Sequence, residues 1–520
     1  MRFNFSLKNR RSTAKEYEHV KTWMPDPQWE LYKVLLTASL NPSFHEQAAN
    51  DLVAIRSLIR QNDVEFVSRL AVWLREQLDL KSLSFMVTAE LSRLFRTNEL
   101  VGSLTERVIR HAAEIPAFME YYAIANGAMA KDALTHGAKR GKSTGRPGKQ
   151  LEKRLSIIFN RLDEYQFTRY DSHTQRKVRA ALILIRPKGK DKAQRILFSQ
   201  ILRGNLQARY SWEEERNELA GKHYDSQELQ HAAGKDKWKE WISSFRIGYP
   251  SLLENLQPIL TAGVSGKVLK LVAEYLGNGP AVIRNRQSPY RILEAYRELQ
   301  TLEHGGTSML SEALEQAAGH SAGNLAGFDK DTRLVIAMDV SHSMTNPIRE
   351  HSRIQRYDIA PLLAMLLQNS GRQVTAGILG NTWKWIGLPA KRPLAALKQY
   401  HNREGEAGYA TNGYLVIQDL LKRKQVVDKI MIFTDSQLWY NRPFNQPAGT
   451  DIRKLWKQYR QIAPGARIYL FDLSGKENTR LDIPEEDVLL ISGWNERIFN
   501  VLTAVENSAD TLEKINDLAL

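Results

Sequence analysis

Side chains with oxygen atoms follow a run of apolar residues in the second half of the chain. The stretch LVIAMDVSHSMTNPI, residues 334–348, places Asp339 after five apolar residues and then sets Ser341 and Ser343 at alternate positions. One carboxylate and two hydroxyls at the tip of a buried strand are ligands of the kind that a hard cation prefers. A nucleophilic serine and an ordinary polar turn are the alternatives that these residues allow.

A second strand tip and a loop offer further oxygen atoms. The apolar run KIMIFTD ends on Asp435, and the loop GYATNGY carries Thr411 just before the helical pattern LVIQDLLK. Two carboxylates and three hydroxyls from three strand-to-helix loops can form a near-octahedral shell for Mg²⁺ or Mn²⁺. Neutral hydroxyls leave such a metal under-neutralised, so that it attracts a partner's carboxylate. The predicted metal site of Asp339, Ser341, Ser343, Thr411 and Asp435 therefore suits adhesion rather than catalysis.

The sequence supports a catalytic function less well than it supports a metal site, and we expect a protein that is not an enzyme. Ser341 and Ser343 flank His342, but adjacent residues on an extended segment point apart, and the Gly-x-Ser-x-Gly elbow of serine hydrolases is absent. The basic stretch GAKRGKS, residues 137–143, looks like a P-loop but has three residues between its glycines where four are needed. No paired general acid and base emerges.

Two patterns divide the 520 residues. From about residue 27 to 300, apolar residues recur at three- and four-residue spacing, as in VEFVSRLAVWLREQL, which predicts antiparallel helix pairs stacked as a solenoid. After residue 325, apolar runs such as RLVIAMDV and ARIYLFDL alternate with helical stretches, which is typical of a doubly wound parallel sheet. Ligands bind at the carboxyl ends of the strands in such sheets, where Asp339 and Asp435 are expected. The predicted divisions are an N-terminal segment (1–27), an all-α helical-repeat module (28–324) and a Rossmann-like α/β domain (325–520).

Positive charge is concentrated within the helical region. The formal net charge is +15, and residues 139–209 contain 19 Lys and Arg against 5 Asp and Glu. Such a block favours a polyanionic partner, for which RNA, DNA and acidic lipid qualify, whereas a solvated helical face is the alternative. The residues expected to contact phosphates are Lys139, Arg140, Lys142, Lys149, Lys153, Arg161, Arg169, Arg176, Lys177 and Arg179.

Composition also bears on the compartment. Cysteine is absent, which excludes disulfides and thiolate metal sites and suits a reducing environment. The N-terminus MRFNFSLKNRRSTAKEYEHV lacks the apolar core of a signal peptide, and no apolar run approaches the roughly 18 residues of a membrane span. We therefore expect a soluble cytoplasmic protein without membrane association.

Two sets of residues carry a resemblance to a known family. Five successive blocks of this chain resemble the TROVE module: FVSRLAVWLREQLDLKSLSFMVTAEL, FMEYYAIANG, FNRLDEYQFTRY, FRIGYPSLLENL and VIRNRQSPYRILEAYREL. The TROVE module is the RNA-binding unit of the Ro autoantigen and its bacterial, Rsr-like relatives. The predicted metal residues resemble the metal-ion-dependent adhesion site (MIDAS) of von Willebrand factor A domains, although this chain reads Tyr-Ala-Thr-Asn where A domains often carry Gly-Gly or Gly-Thr-Asp. Together the two resemblances cover roughly residues 28–515.

The resemblance implies a HEAT-like helical ring with a basic central hole, followed by the A domain. Single-stranded 3′ ends of misfolded or precursor noncoding RNAs, including ribosomal RNA, are expected in the hole, and a Y RNA on the outer surface. The implied protein is a monomer within a ribonucleoprotein that acts in RNA quality control, ribosomal RNA maturation or decay, in some bacteria with the exoribonuclease polynucleotide phosphorylase. The alternative function is a metal-dependent protein–protein adhesion scaffold that acts through the A domain.

Overall fold

The chain forms two compact units. The computed structural model describes residues 2–3, 26–37, 49–78, 80–126, 147–168, 170, 172–204, 206, 212–325, 330–349, 352–435, 452–474, 487–492, 494 and 508–520. Residues 12–222 and 504–520 form one unit, here called the helical unit, and residues 1–11 and 223–503 form the other, here called the sheet unit. These units differ from the divisions expected at residues 27 and 325, because helices after residue 223 contact helices of the α/β region; the helix Thr307–Ser321, for example, packs on the helices Arg356–Asn369 and Pro393–His401. The sequence-based domain boundaries stay a prediction.

The described part of the helical unit is built from α-helices. Their bounds are Pro27–Thr37 (α1), Ala49–Gln61 (α2), Val64–Glu76 (α3), Lys81–Leu94 (α4), Glu99–Val108 (α5), Glu114–Ala125 (α6), Lys149–Arg161 (α7), Glu164–Thr168 (α8), Ser172–Ile185 (α9), Lys192–Arg203 (α10), Trp212–Gly221 (α11) and, near the C-terminus, Ser508–Asn516 (α23).

Local sequence explains where several of these helices begin and end. The carboxylate of Asp63 accepts a hydrogen bond of 2.7 Å from the backbone N–H of Phe66 and so caps α3. Helix α10 ends at Gly204, whose φ of 73° is a conformation that glycine adopts without strain. Apolar residues recur at helical spacing throughout LTERVIRHAAEI, residues 104–115, yet the helix is interrupted within this stretch. Helix α5 ends at Val108 and α6 begins at Glu114, whose carboxylate accepts from backbone N–H groups of the intervening turn.

The sheet unit carries both helices and strands. Its helices are Gln227–Ser243 (α12), Tyr249–Glu254 (α13), Leu256–Thr261 (α14), Gly266–Leu276 (α15), Gly279–Arg284 (α16), Pro289–Leu299 (α17), Thr307–Ser321 (α18), Arg356–Asn369 (α19), Pro393–His401 (α20), Tyr414–Arg423 (α21) and Ile452–Ile462 (α22). Its strands are Arg2–Phe3 (β1), Arg333–Asp339 (β2), Gln373–Leu379 (β3), Trp383–Ile386 (β4), Lys429–Thr434 (β5), Arg467–Asp472 (β6) and Val488–Ser492 (β7).

The described strands form one sheet in the order β1-β7-β6-β5-β2-β3-β4. Strands β7, β6, β5, β2 and β3 run parallel, while β4 and β1 pair antiparallel at the two edges. Helices α21 and α22 cover one face through a core that includes Val335 and Trp456, and α19 packs on β2 and β3. The expected combination of a helical region and a doubly wound α/β sheet is confirmed. Within the described residues, no helix is both long enough and apolar enough to span a bilayer.

Candidate functional site

The first candidate site lies where the strand order reverses. The chain passes from β2 to β3 on one side of β2 and later returns to β5 on its other side, so the loops after β2 and β5 diverge from neighbouring strand ends. Such a switch point is the ligand-binding crevice of open α/β sheets. Asp339 is the last residue of β2, and Asp435 directly follows β5. The expected position of both carboxylates at this edge is therefore confirmed by the strand register.

Hydrogen bonds connect four of the five predicted metal ligands. Asp339 is 1% exposed, and its Oδ1 accepts from the Ser341 backbone N–H at 2.8 Å. The hydroxyls of Ser341 and Ser343 lie 3.3 Å apart, and Ser343 Oγ donates to Asp435 Oδ1 at 2.7 Å. Thr434, which the sequence did not single out, donates its hydroxyl to Asp339 Oδ2 at 2.6 Å. Burial raises the pKa of Asp339 to about 6, and the neighbouring charge of Asp435 acts in the same direction.

Thr411, the fifth predicted ligand, is half-buried in the loop before α21. That loop is tied to the end of β3, because Ala410 N–H donates to Asn381 Oδ1 at 2.9 Å and Asn412 N–H donates to the Gly380 carbonyl at 3.3 Å. No hydrogen bond between described residues joins Thr411 to the other four side chains. Its role as a ligand stays a prediction.

The donor set fits a hard divalent cation. The four connected side chains offer only carboxylate and hydroxyl oxygens, which are the ligands of Mg²⁺ and Mn²⁺. Among the described residues there is no group of three or more His, Asp or Glu that could hold a metal, so any metal at this edge would depend on the serine hydroxyls. A third carboxylate at the edge, Asp472 at the end of β6, accepts from the N–H and hydroxyl of Ser474 in its own turn.

A cation that the sequence gave no reason to expect also lies at this site. Arg356, the first residue of α19, donates from an amino group to Asp435 Oδ2 at 2.5 Å. The side chain of Asp435 is 2% exposed, and that of Arg356 is 21% exposed. The residues between Asp339 and α19 gave no sign of this contact, because it depends on how the helix packs against the sheet.

His342 is not placed to act as a general base for either serine. Its Nδ1 lies 2.7 Å from Glu404 Oε1, and the imidazole is 79% exposed. Ser343 instead donates its hydroxyl to Asp435. The described contacts therefore bring neither serine together with His342 as a nucleophile–base pair.

The second candidate site is a groove in the helical unit, here called the basic groove. Its cationic side chains are Lys153, Arg161, Arg186, Lys188 and Lys190, and its other lining residues are Ser156, Ile157 and Asn160. None of these lining residues carries a carboxylate. The groove is therefore strongly positive, as a binding surface for a phosphate backbone must be.

Asn160 holds the two walls of the basic groove together. Its Nδ2 donates to the Lys188 carbonyl at 2.9 Å, and its Oδ1 accepts from the Lys190 backbone N–H at 2.7 Å. Arg161 donates one amino group to the carbonyls of Glu106 and Ile109, at 2.9 and 3.1 Å. These contacts fix the backbone under the lysines while the ammonium groups face solvent.

The predicted RNA-binding residues fall into different surroundings. Lys153 and Arg161 lie in the basic groove, and Lys149 is exposed one helical turn before Lys153 on α7. Arg176 and Arg179 line a second pocket, which has apolar walls, whereas Lys177 pairs with Glu120 at 3.1 Å. The remaining predicted residues lie outside the described residues; they are Lys139, Arg140, Lys142 and Arg169.

Three cations of the basic groove are not among the RNA-binding residues predicted from the sequence: Arg186, Lys188 and Lys190. All three belong to the basic block of residues 139–209, so the charge count contained the signal. The segment RPKGKD, residues 186–191, has no helical period, so the sequence does not indicate which surface its cations occupy. Gly189 lets it approach α10 closely, since a Cβ there would lie 2.7 Å from the backbone nitrogen of Arg195.

Comparisons with known proteins agree with this architecture. The TROVE domain family matches residues 225–359, and the Ro60 von Willebrand factor A domain family matches residues 333–505. The crystal structure of the Deinococcus radiodurans Ro (RSR) protein superposes with a TM-score of 0.62, covering 93% of this chain and 100% of that chain at 16% sequence identity. At this identity the superposition shows a common fold.

The two family matches overlap at residues 333–359. Together they extend from residue 225 to 505, with the TROVE match before the A-domain match. Of the five sequence blocks, FRIGYPSLLENL and VIRNRQSPYRILEAYREL lie within the TROVE match, and the other three precede it. The basic block of residues 139–209 precedes the matched region. The chain therefore contains a region that matches the TROVE domain family and a region that matches the Ro60 von Willebrand factor A domain family.

Proposed function

We propose that this protein is a non-catalytic, cytoplasmic RNA-binding protein that holds noncoding RNA for quality control, ribosomal RNA maturation or decay. In this proposal, Y RNA binds the outer basic surface, and single-stranded 3′ ends of misfolded or precursor RNAs enter the basic hole that the family resemblance implies. An exoribonuclease, with polynucleotide phosphorylase as the candidate, then acts on the bound RNA. The protein itself acts as a monomer within the ribonucleoprotein.

The basic groove is the observation that supports RNA binding best. Five cationic side chains surround it without a lining carboxylate, so each phosphate that enters exchanges condensed counterions for protein charge. Lysine contacts of this kind bind single strands with little sequence preference, because they read the backbone rather than the bases. Arg176 and Arg179 add two exposed cations on α9, at a pocket that shares no lining residue with the basic groove.

The test replaces three groove lysines together, as Lys153→Gln, Lys188→Gln and Lys190→Gln. Binding to a structured RNA with a single-stranded 3′ tail is measured by filter binding at several salt concentrations. Because single strands give a salt slope of about −0.7 per phosphate contact, the loss of three contacts should reduce the slope by about 2.

The matched control carries the same charge change on exposed lysines of the sheet unit, as Lys422→Gln, Lys424→Gln and Lys457→Gln. This control should bind RNA with nearly the wild-type slope. If the groove variant and the control have the same affinity and the same slope, the basic groove is not an RNA-binding surface.

We also propose that the edge of the sheet binds a divalent cation, Mg²⁺ or Mn²⁺, through Asp339, Ser341, Ser343, Thr411 and Asp435. The connected carboxylates and hydroxyls support this second role, in which the cation captures a carboxylate of a partner protein. Asp339→Ala should abolish metal-dependent partner capture while RNA binding stays at the wild-type level. Undiminished copurification of all protein partners by this variant would refute an adhesion function.

A further inference from the structure

Arg356 contacts one of the two carboxylates of the candidate metal site. Its amino group lies 2.5 Å from Asp435 Oδ2, while Asp435 Oδ1 accepts from Ser343 Oγ at 2.7 Å. Both oxygens of Asp435 are therefore engaged by groups of the protein itself. A divalent cation that uses Asp435 must share this carboxylate with the guanidinium or displace it.

The position of Arg356 is determined by the packing of α19. Its backbone N–H donates to the Asn346 carbonyl at 3.0 Å, and Gln355 N–H donates to Asp358 Oδ2 at 2.6 Å. Asp358 in turn accepts from both amino groups of Arg297 on α17. The start of α19 is thus fixed on two sides, and the guanidinium is held beside Asp435.

The side chain itself is anchored less firmly than its backbone. The Nε of Arg356 is buried, and it has no hydrogen-bond partner in the described part of the chain. Among the described residues, Asp435 is the side chain to which this guanidinium donates. Rotation of the side chain away from Asp435 therefore breaks one ion pair and leaves the backbone of α19 in place.

The guanidinium of Arg356 and a divalent cation are both positively charged and would compete for the same carboxylate, Asp435. Asp339 and Asp435 together carry two negative charges when ionised, and Arg356 neutralises one of them without any metal. A divalent cation entering beside the guanidinium meets a like charge at short range in a poorly solvated place, where Coulomb repulsion is strong. Removing the positive charge of Arg356 removes this repulsion and leaves both carboxylates to the metal.

We infer that Arg356 is a built-in counter-ion that competes with the divalent cation for Asp435 and so sets the metal affinity of the sheet edge. This inference rests on the proposed metal site and is independent of the proposed RNA binding. In the wild type, the guanidinium holds Asp435 when divalent cation is scarce and gives way when it is abundant. The cation, rather than a free carboxylate, is then what a partner protein would meet.

The test measures Mn²⁺ binding to the full chain from the electron paramagnetic resonance signal of free Mn²⁺, with Mg²⁺ as competitor. Arg356→Gln should tighten Mn²⁺ binding at least tenfold, because the repulsion is gone. Arg356→Lys keeps the charge and should stay within threefold of the wild type. Arg353→Gln, which removes an exposed positive charge three residues earlier, should also stay within threefold.

Thermal melting gives a second readout that does not depend on the affinity measurement. In EDTA, Arg356→Gln should melt several degrees below the wild type, because buried Asp435 loses its ion-pair partner. Addition of Mg²⁺ should restore most of this loss, whereas the wild type should gain little.

Three results would overturn the inference. They are an Arg356→Gln variant whose Mn²⁺ affinity is unchanged or weaker, a lysine variant that binds as tightly as the glutamine variant, and a melting temperature that Mg²⁺ does not restore. Absence of Mn²⁺ binding by both wild type and Arg356→Gln would refute the metal site as well. RNA binding is measured by filter assay in parallel. Normal RNA binding alongside any of these results would mean that the metal proposal fails while the RNA-binding proposal stands.

Discussion

The buried ion pair between Arg297 and Asp358 should be a main determinant of the stability of the sheet unit. Asp358 is fully buried in α19, and both amino groups of Arg297, which belongs to α17, donate to its carboxylate. Gln355 N–H at 2.6 Å and His401 Nε2 at 2.8 Å complete the surroundings of the carboxylate. The pair therefore joins α17 to α19, which is the first α-helix after the candidate metal loop.

Removal of one partner leaves the other charge in the interior. Breaking a buried pair in this way costs about 3–5 kcal/mol. Arg297 is 22% exposed, so water can replace part of its role, and we expect the lower end of that range for Arg297→Met. With roughly 2–4 °C per kcal/mol for a domain of this size class, the melting temperature should fall by about 6–12 °C.

Calorimetric melting tests the fall in melting temperature expected for Arg297→Met against a matched control. Arg333 also pairs with an aspartate, Asp428 at 2.8 Å, but its side chain is 45% exposed. Arg333→Met should cost less than about 1 kcal/mol, because exposed ion pairs contribute little. If Arg297→Met melts within 2 °C of the wild type, or no lower than Arg333→Met, the reasoning from burial is wrong.

A double variant separates the pair from the individual side chains. Arg297→Met combined with Asp358→Leu removes both charges and replaces them with apolar groups. Because the desolvation cost of both ions disappears together, the double variant should be more stable than either single variant. Additive losses would mean that the two residues act independently.

Two further predictions concern the helical unit. Hydrogen bonding to Arg107, and the charges of Arg107 and Arg110, hold the pKa of Glu76 below its usual value of 4.5. The ionised Glu76 therefore stabilises the fold above pH 4.5, and this contribution is lost as the pH falls through the lowered pKa. The melting temperature of Glu76→Gln should therefore lie below that of the wild type at neutral pH, and the difference should close in melting curves taken progressively below pH 4.5. Gly189→Ala places a Cβ 2.7 Å from the backbone nitrogen of Arg195 and should shift the two neighbouring lysines, so that RNA binding weakens several-fold in filter assays although no charge is lost. Wild-type RNA affinity in a folded Gly189→Ala protein would contradict the second prediction.

Much of the fold follows from patterns that are local in the chain. The run RLVIAMDV predicts a strand that is buried on both faces, and β2 over Arg333–Asp339 is buried from its second residue onward. The runs ending on Asp435 and Leu473 likewise correspond to β5 and β6. Strand β4 was not expected, because WKWI is short and lies at an edge, where its residues are only partly buried. The helix break at residues 109–113 was missed because the apolar spacing continues through it.

The sequence alone determined that the chain has helices followed by an alternating α/β region, that Asp339 and Asp435 lie at the carboxyl ends of strands, and that cations gather in residues 139–209. These features depend on periodicity and on strand ends, which are properties of neighbouring residues. Tertiary structure decided which distant side chains meet. Arg356 contacts Asp435 across 79 positions, Arg297 contacts Asp358 across 61, and Asn160 binds the backbone of Lys190 across 30. Such contacts arise from the packing of whole helices and strands, and no local pattern specifies them.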